Sequence, residues 1–228
     1  MIGAAAVVLA VAFGNVMSNP VMPQSAVRHD VRALMGFRAD VTCGNEIEPE
    51  RYKRAWRAES ARHGLRARAV AYPDPVAVRG RPVAVYARRL SGGVPGLTPD
   101  RWAVVVRGPS WAVICTHLVS RAWTSDDGTT AQRRDIYREE IARLRRIVGR
   151  NLAAGRNVII GGDLNNPDRV RWRRREVFLA NLGRMQATAI PAPGWRAIRA
   201  GRRTIPARRL ATDHPMIRRG VTFAPIGH

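Results

Sequence analysis

Short apolar runs of strand length, each stopping abruptly at polar residues, constrain this chain more than any other feature. Ala6 to Phe13 gives way to Gly14-Asn15, Ala39 to Gly44 to Asn45-Glu46, Trp111 to Thr116 to His117, and Asn157 to Gly161 to Gly162-Asp163-Leu164-Asn165. Runs this short and this rich in β-branched residues predict buried strands. Segments of helical period lie between them. Val27, Val31 and Leu34 share one face of a helix that Ser25 would cap, and Glu50 to His63 is helical, with Pro49 early and Gly64 as its stop. Tyr137, Ile141, Leu144 and Val148 line one face of a helix over Gln132 to Leu152.

The rest of the chain is read more coarsely. Arg66 to Arg107 is β-structure, with turns at Pro73-Asp74-Pro75 and Ser91-Gly92-Gly93 and strands at Val83 to Tyr86 and Trp102 to Val106. A helix is expected around Trp172 to Leu182, mobile arginine-rich loops at 196 to 209, and a final strand at Val221 to Ile226. No low-complexity linker divides the 228 residues, so the reading is a single domain, 1–228, in the α/β class: a sandwich with sheets inside and helices outside.

Charge narrows the partners. Thirty-nine basic residues against 17 acidic ones give a net charge of +22, and Lys53 is the only lysine. Residues 169 to 219 hold 14 arginines and only Glu176 and Asp213 as acids. Guanidinium groups match phosphate oxygens, so nucleic acid is the expected partner, although the codon bias of a GC-rich genome would also enrich arginine. Trp172 and Trp195 lie in this stretch, where they could stack on bases or pack in the core. Cys43 and Cys115 make neither a disulfide framework nor a zinc site, and are expected as free, buried thiols in a reducing compartment. Ile2 to Phe13 lacks the basic flank and cleavage site of a signal peptide and is too short to span a membrane, so a cytoplasmic location is expected. Nothing points to a membrane or to an obligate protein partner.

The polar residues at the strand ends form a pattern of their own. Each has a plain reading as a turn, a solvated acid or a core histidine. Together they supply carboxylates, carboxamides and histidines, which are the groups that metal-assisted phosphodiester hydrolysis needs. The order Asn15, Asn45-Glu46, Thr116-His117-Leu118, Gly162-Asp163-Leu164-Asn165 and Thr212-Asp213-His214-Pro215 resembles the endonuclease/exonuclease/phosphatase superfamily, with its DNase I-like fold.

The resemblance implies a four-layered α/β sandwich, with two packed, mainly antiparallel mixed sheets flanked by helices. It also implies cleavage of phosphate esters with Mg²⁺, or Mn²⁺ as the alternative ion. Glu46 would be the principal metal ligand and Asp213 a further acidic one. Asn15 would orient that site and touch the phosphate, and Asn165 would bind the phosphate. Asp163 would position or activate the attacking water, and His214 would contact the scissile phosphate. His117 would be a second phosphate-contacting histidine and general acid. The chain departs from the family pattern in lacking an aspartate upstream of Asp213 to orient the histidine, since no acid lies between Glu176 and Asp213. Within this fold the arginines favour a nuclease acting on DNA ahead of RNA. The alternatives are a phosphatase or phosphodiesterase of small or lipid phosphoesters, and a degenerate, non-catalytic nucleic-acid-binding member.

Overall fold

The computed structural model describes residues 5–16, 22–47, 50–68, 74–120, 122, 128–165, 185–206, 209–210 and 216–226. The chain runs β1 (Val7–Asn15), α1 (Gln24–Met35), β2 (Val41–Asn45), α2 (Glu50–Arg62), β3 (Arg66–Arg68), β4 (Val76–Val78), β5 (Ala84–Ser91), β6 (Arg101–Arg107) and β7 (Trp111–His117). It continues through α3 (Thr130–Ala153), β8 (Asn157–Asp163), β9 (Met185–Ile190), β10 (Trp195–Ile205) and β11 (Met216–Pro225).

The strands form a six-stranded sheet, β10-β11-β1-β2-β4-β3, and a five-stranded sheet, β5-β6-β7-β8-β9. Each is antiparallel except for one parallel pair, β1 with β2 and β7 with β8. Side chains alternate across a strand, so a central strand must be apolar on both faces. In β8, Ile159 enters the core between the sheets, while Val158 and Ile160 pack under α3 with Tyr137, Ile141 and Leu144. In β1, Val11 and Phe13 face the core between the sheets, while Ala12 meets Val31, Leu34 and Trp56 of α1 and α2. The four layers are therefore α1 and α2, the six-stranded sheet, the five-stranded sheet, and α3. This is the expected sandwich. Among the described residues no helix is long and apolar enough to cross a membrane.

Several expectations are corrected. Cys43 on β2 and Cys115 on β7 are not free thiols: they form a disulfide, with Cα atoms 5.8 Å apart. The two strands belong to different sheets and face each other across the core, a juxtaposition that a separation of 72 residues hides in the sequence. The argument from free thiols to a reducing compartment goes with it. Residues 196 to 205 are not loop but most of strand β10, hydrogen-bonded along β11 with a bulge between Arg199 and Arg202. Its partner strand accordingly begins at Met216 rather than Val221. The helix α1 starts at Gln24, after Pro23, with no side-chain cap from Ser25. Trp195 packs partly buried against the core between the sheets. The expected helix at Trp172 to Leu182 lies outside the described residues.

Candidate active site at the strand ends

The two parallel pairs set up the site. Their registers place Asn15 beside Asn45 and His117 beside Asp163, each at the C-terminal end of its strand. Strand ends of this kind are where α/β sheets gather functional groups, because side chains there leave the ladder without losing its rigidity. Hydrogen bonds then join the sheets. Asn15 Nδ2 donates to Asp163 Oδ2 at 2.9 Å, and the Asp163 backbone N–H donates to Asn45 Oδ1 at 3.1 Å. Three of the expected residues, Asn15, Asp163 and Asn165, thus meet in one network, with Asn45 as its fourth member.

Two backbone features hold the loops that follow. Asn165 has φ 46° and Glu46 has φ 58°, both in the left-handed region that side-chain-bearing residues avoid. Asn165 is held there by its N–H bond to Asp163 Oδ1 at 3.1 Å and by Nδ2 donating to the Leu118 carbonyl at 2.8 Å. The Tyr137 hydroxyl of α3 donates to the Leu164 carbonyl at 3.2 Å. Glu46 is held by its N–H, which donates to Asp74 Oδ1 at 3.3 Å. Strained conformations that the surroundings fix in this way concentrate at functional sites.

His117 is buried, its side chain only 1% exposed, while Glu46 beside it is 35% exposed. The imidazole Nε2 lies 3.3 Å from Glu46 Oε1, and Nδ1 lies 3.5 Å from Asp74 Oδ1. Arg101, also buried, places Nη1 2.9 Å from Nδ1. In the neutral tautomer Nδ1 accepts from Arg101 and Nε2–H faces Glu46; once charged, the ring is flanked by both carboxylates. Burial and the Arg101 charge push His117 down, but hydrogen bonding and charge from Asp74, with the charge of Asp163, outweigh them and raise it above 6.5. Burial also acts to raise Asp74. The hydrogen bond and charge of His117, the Asn45 amide and the Arg101 charge together overcome it and hold the carboxyl below 3.8.

Asp74, Arg101 and Glu140 are the site residues that sequence reasoning missed, and Asn45 reads in the sequence as part of the Asn45-Glu46 motif without a role of its own. The sequence Pro73-Asp74-Pro75 reads as a turn, yet Asp74 and Pro75 lead into β4, and the Gly44 N–H donates to the Pro75 carbonyl, bringing Asp74 beside the end of β2. Asn45 Nδ2 donates to Asp74 Oδ1 at 3.0 Å. Glu140 on α3 accepts from Ser91 Oγ at 2.6 Å and from the Val119 N–H at 2.8 Å, anchoring the segment after His117. Burial pushes its carboxyl up. A buried carboxylate on the apolar face of an otherwise regular amphipathic helix was the one signal available for it. Asp213 and His214 lie outside the described residues.

The coupling of Asp74 with His117 gives a pH test. A histidine raised above 6.5 contributes stability that is complete below that pH and is lost as pH rises through its folded value. An aspartate held below 3.8 contributes stability above that pH, lost as pH falls through its folded value. Asp74→Asn is expected to remove both, flattening the decline in stability as pH rises above 6.5 and the loss of stability as pH falls below 3.8. Urea unfolding across pH on wild type and variant measures this; identical pH profiles would refute the pairing.

The layer order and the two mixed sheets are those of a DNase I-like fold. Solved structures sharing it include sphingomyelinase C from Streptomyces griseocarneus, with a TM-score of 0.64 at 13% identity over 93% of this chain and 99% of that one. D. rerio TDP2 complexed with single-strand DNA product aligns with a TM-score of 0.63 at 13% identity, over 94% and 98% of the two chains. The human Nocturnin catalytic domain with bound sulfate gives 0.63 at 12%, over 95% and 94%. No protein-family model and no curated protein matches the sequence.

Proposed function

We propose that the protein is a divalent-metal-dependent phosphodiesterase that hydrolyses a nucleic-acid backbone, DNA ahead of RNA. The observation that carries this reading is the cross-sheet network in which Asn15 and the Asn165 N–H each donate to one oxygen of Asp163. A carboxylate fixed by two donors keeps a lone pair on each oxygen, so it can take a proton from water without moving. Asn15 holds that carboxylate in place, and Asn165 presents the loop around the phosphate. His214 would stabilise or protonate the phosphate. His117, being buried, acts through Glu46 as a positioning residue.

The donor set fits a hard ion. Glu46 is a partly exposed carboxylate, and among the described residues Asp74 Oδ2 is buried with no hydrogen-bond partner. Mg²⁺, held by one or two carboxylates and otherwise hydrated, suits such a set better than zinc. Glu46 would hold the ion, with Asp213 beside it. Bound there, it would neutralise phosphate charge and lower the pKa of a coordinated water. The net charge of +22 supports a polymeric substrate, because each neutralised phosphate adds affinity.

The test is cleavage of supercoiled plasmid in Mg²⁺, Mn²⁺ and EDTA by wild type, Glu46→Ala and His214→Ala. Metal-dependent nicking by wild type alone is the expected result. Plasmid retarded but uncut in every lane would turn the reading to a non-catalytic binder. Uncut, unretarded plasmid with hydrolysis of a small or lipid phosphoester would turn it to that substrate class.

A further inference from the structure

A cavity of about 230 Å³ lies between β5, β6 and the C-terminal turns of α3. Arg88, Arg107, Arg150 and Arg156 line it together with Tyr86 and Asn151, and none of the described residues lining it is a carboxylate. Arg107 closes β6 shortly before β7 begins at Trp111, and Arg156 immediately precedes β8. The cavity therefore sits at the N-terminal ends of β7 and β8, whereas His117 and Asp163 terminate those strands. Seven residues of strand, at about 3.3 Å each, separate the two places.

We propose that this cavity is a second anion site, which takes a phosphate group. The proposal is independent of the reading of the strand-end cluster. Arg88 and Arg107 stack on Tyr86, their guanidinium carbons 5.0 and 4.9 Å from the ring centroid. Stacking uses the planar faces and leaves the N–H edges for an acceptor in the guanidinium plane. The Nε atoms of Arg107 and Arg156 are buried with no hydrogen-bond partner among the described residues. No acceptor among the described residues fills these donors.

The end of α3 does not supply one. The N–H groups of Ala154, Gly155 and Arg156 already bond to the carbonyls of Arg150, Leu152 and Asn151, and Asn151 Nδ2 donates to the Ile147 carbonyl. The arginines are thus not spent as helix caps. Four cations around one small cavity match the charge and the several acceptor oxygens of a phosphate better than a single carboxylate. The group could arrive as free phosphate or as a backbone phosphate of nucleic acid, and the chemistry of capture is the same.

Isothermal titration of the full chain with inorganic phosphate at low ionic strength tests this, alongside anisotropy titration of a short single-stranded DNA. Wild type is compared with Arg150→Ala and Arg156→Gln, each checked by circular dichroism. Arg150 is exposed in the last turn of α3, so its variant keeps the test decisive if Arg156→Gln fails to fold. Saturable phosphate binding that weakens about tenfold or more in the variants is the expected result and identifies free phosphate. Loss of DNA affinity in the variants, without binding of inorganic phosphate, identifies a backbone phosphate. Variants that bind both probes like wild type overturn the proposal.

Discussion

Asp163→Asn is expected to lower turnover on the phosphoester substrate by about 10²–10⁴-fold, the range for loss of a positioned acid or base. The two side chains have the same shape, so the effect isolates charge and hydrogen-bond polarity. Both oxygens of Asp163 accept, one from Asn15 Nδ2 and the other from the Asn165 N–H. An amide at this position must aim its own N–H₂ at one of those donors. The network then loses a bond and gains a donor–donor contact, which costs about 1–3 kcal/mol of stability. Steady-state kcat, with urea unfolding on the same samples, measures both effects. Activity within a few-fold of wild type would remove Asp163 from the mechanism.

The largest effect on stability is expected at the neighbouring position. Gly162 has φ +134°, and a Cβ built there would lie 1.8 Å from the Thr116 carbonyl oxygen and 2.9 Å from its carbonyl carbon. Those atoms are backbone of β7, paired in register with Gly162, so they can yield only if the two central strands separate. Gly162→Ala is therefore expected to cost more than about 4 kcal/mol, or to prevent folding. Gly149→Ala is the contrasting case. It lies inside α3, where an added Cβ meets nothing within 4 Å, and the same substitution should stabilise by about 0.5–1 kcal/mol. Thermal and urea unfolding of the pair measure the two signs. A folded Gly162→Ala protein of near wild-type stability would show that the close approach of β8 to β7 is not required.

Much of the site was legible because strand ends announce themselves. Apolar runs have to stop where the sheet stops, and the residues that follow, Asn15, Glu46, His117 and Asp163, stand out by the abruptness of the change. The elements under them are equally local: the alternation along β8 and the spacing of Tyr137, Ile141, Leu144 and Val148 record which faces of a strand and a helix leave water. β10 escaped notice because its arginines and glycine break the apolar pattern. Its strand character comes from hydrogen bonding to β11, with Ala197 and Trp195 as its contacts with the core.

By itself, then, the sequence determined the layers, the central strands and the chemistry gathered at their ends. Burial is written residue by residue in hydrophobic period, and period can be read without knowing what packs against what. Only the tertiary structure decided the partners. It joined Cys43 to Cys115, brought Asp74 and Arg101 to His117, latched Glu140 onto the segment after β7, and set four arginines around a cavity at the far end of the same strands. Each of these depends on which strands become neighbours and in what register. That choice is made by the packing of the whole chain, and no local stretch of residues carries it.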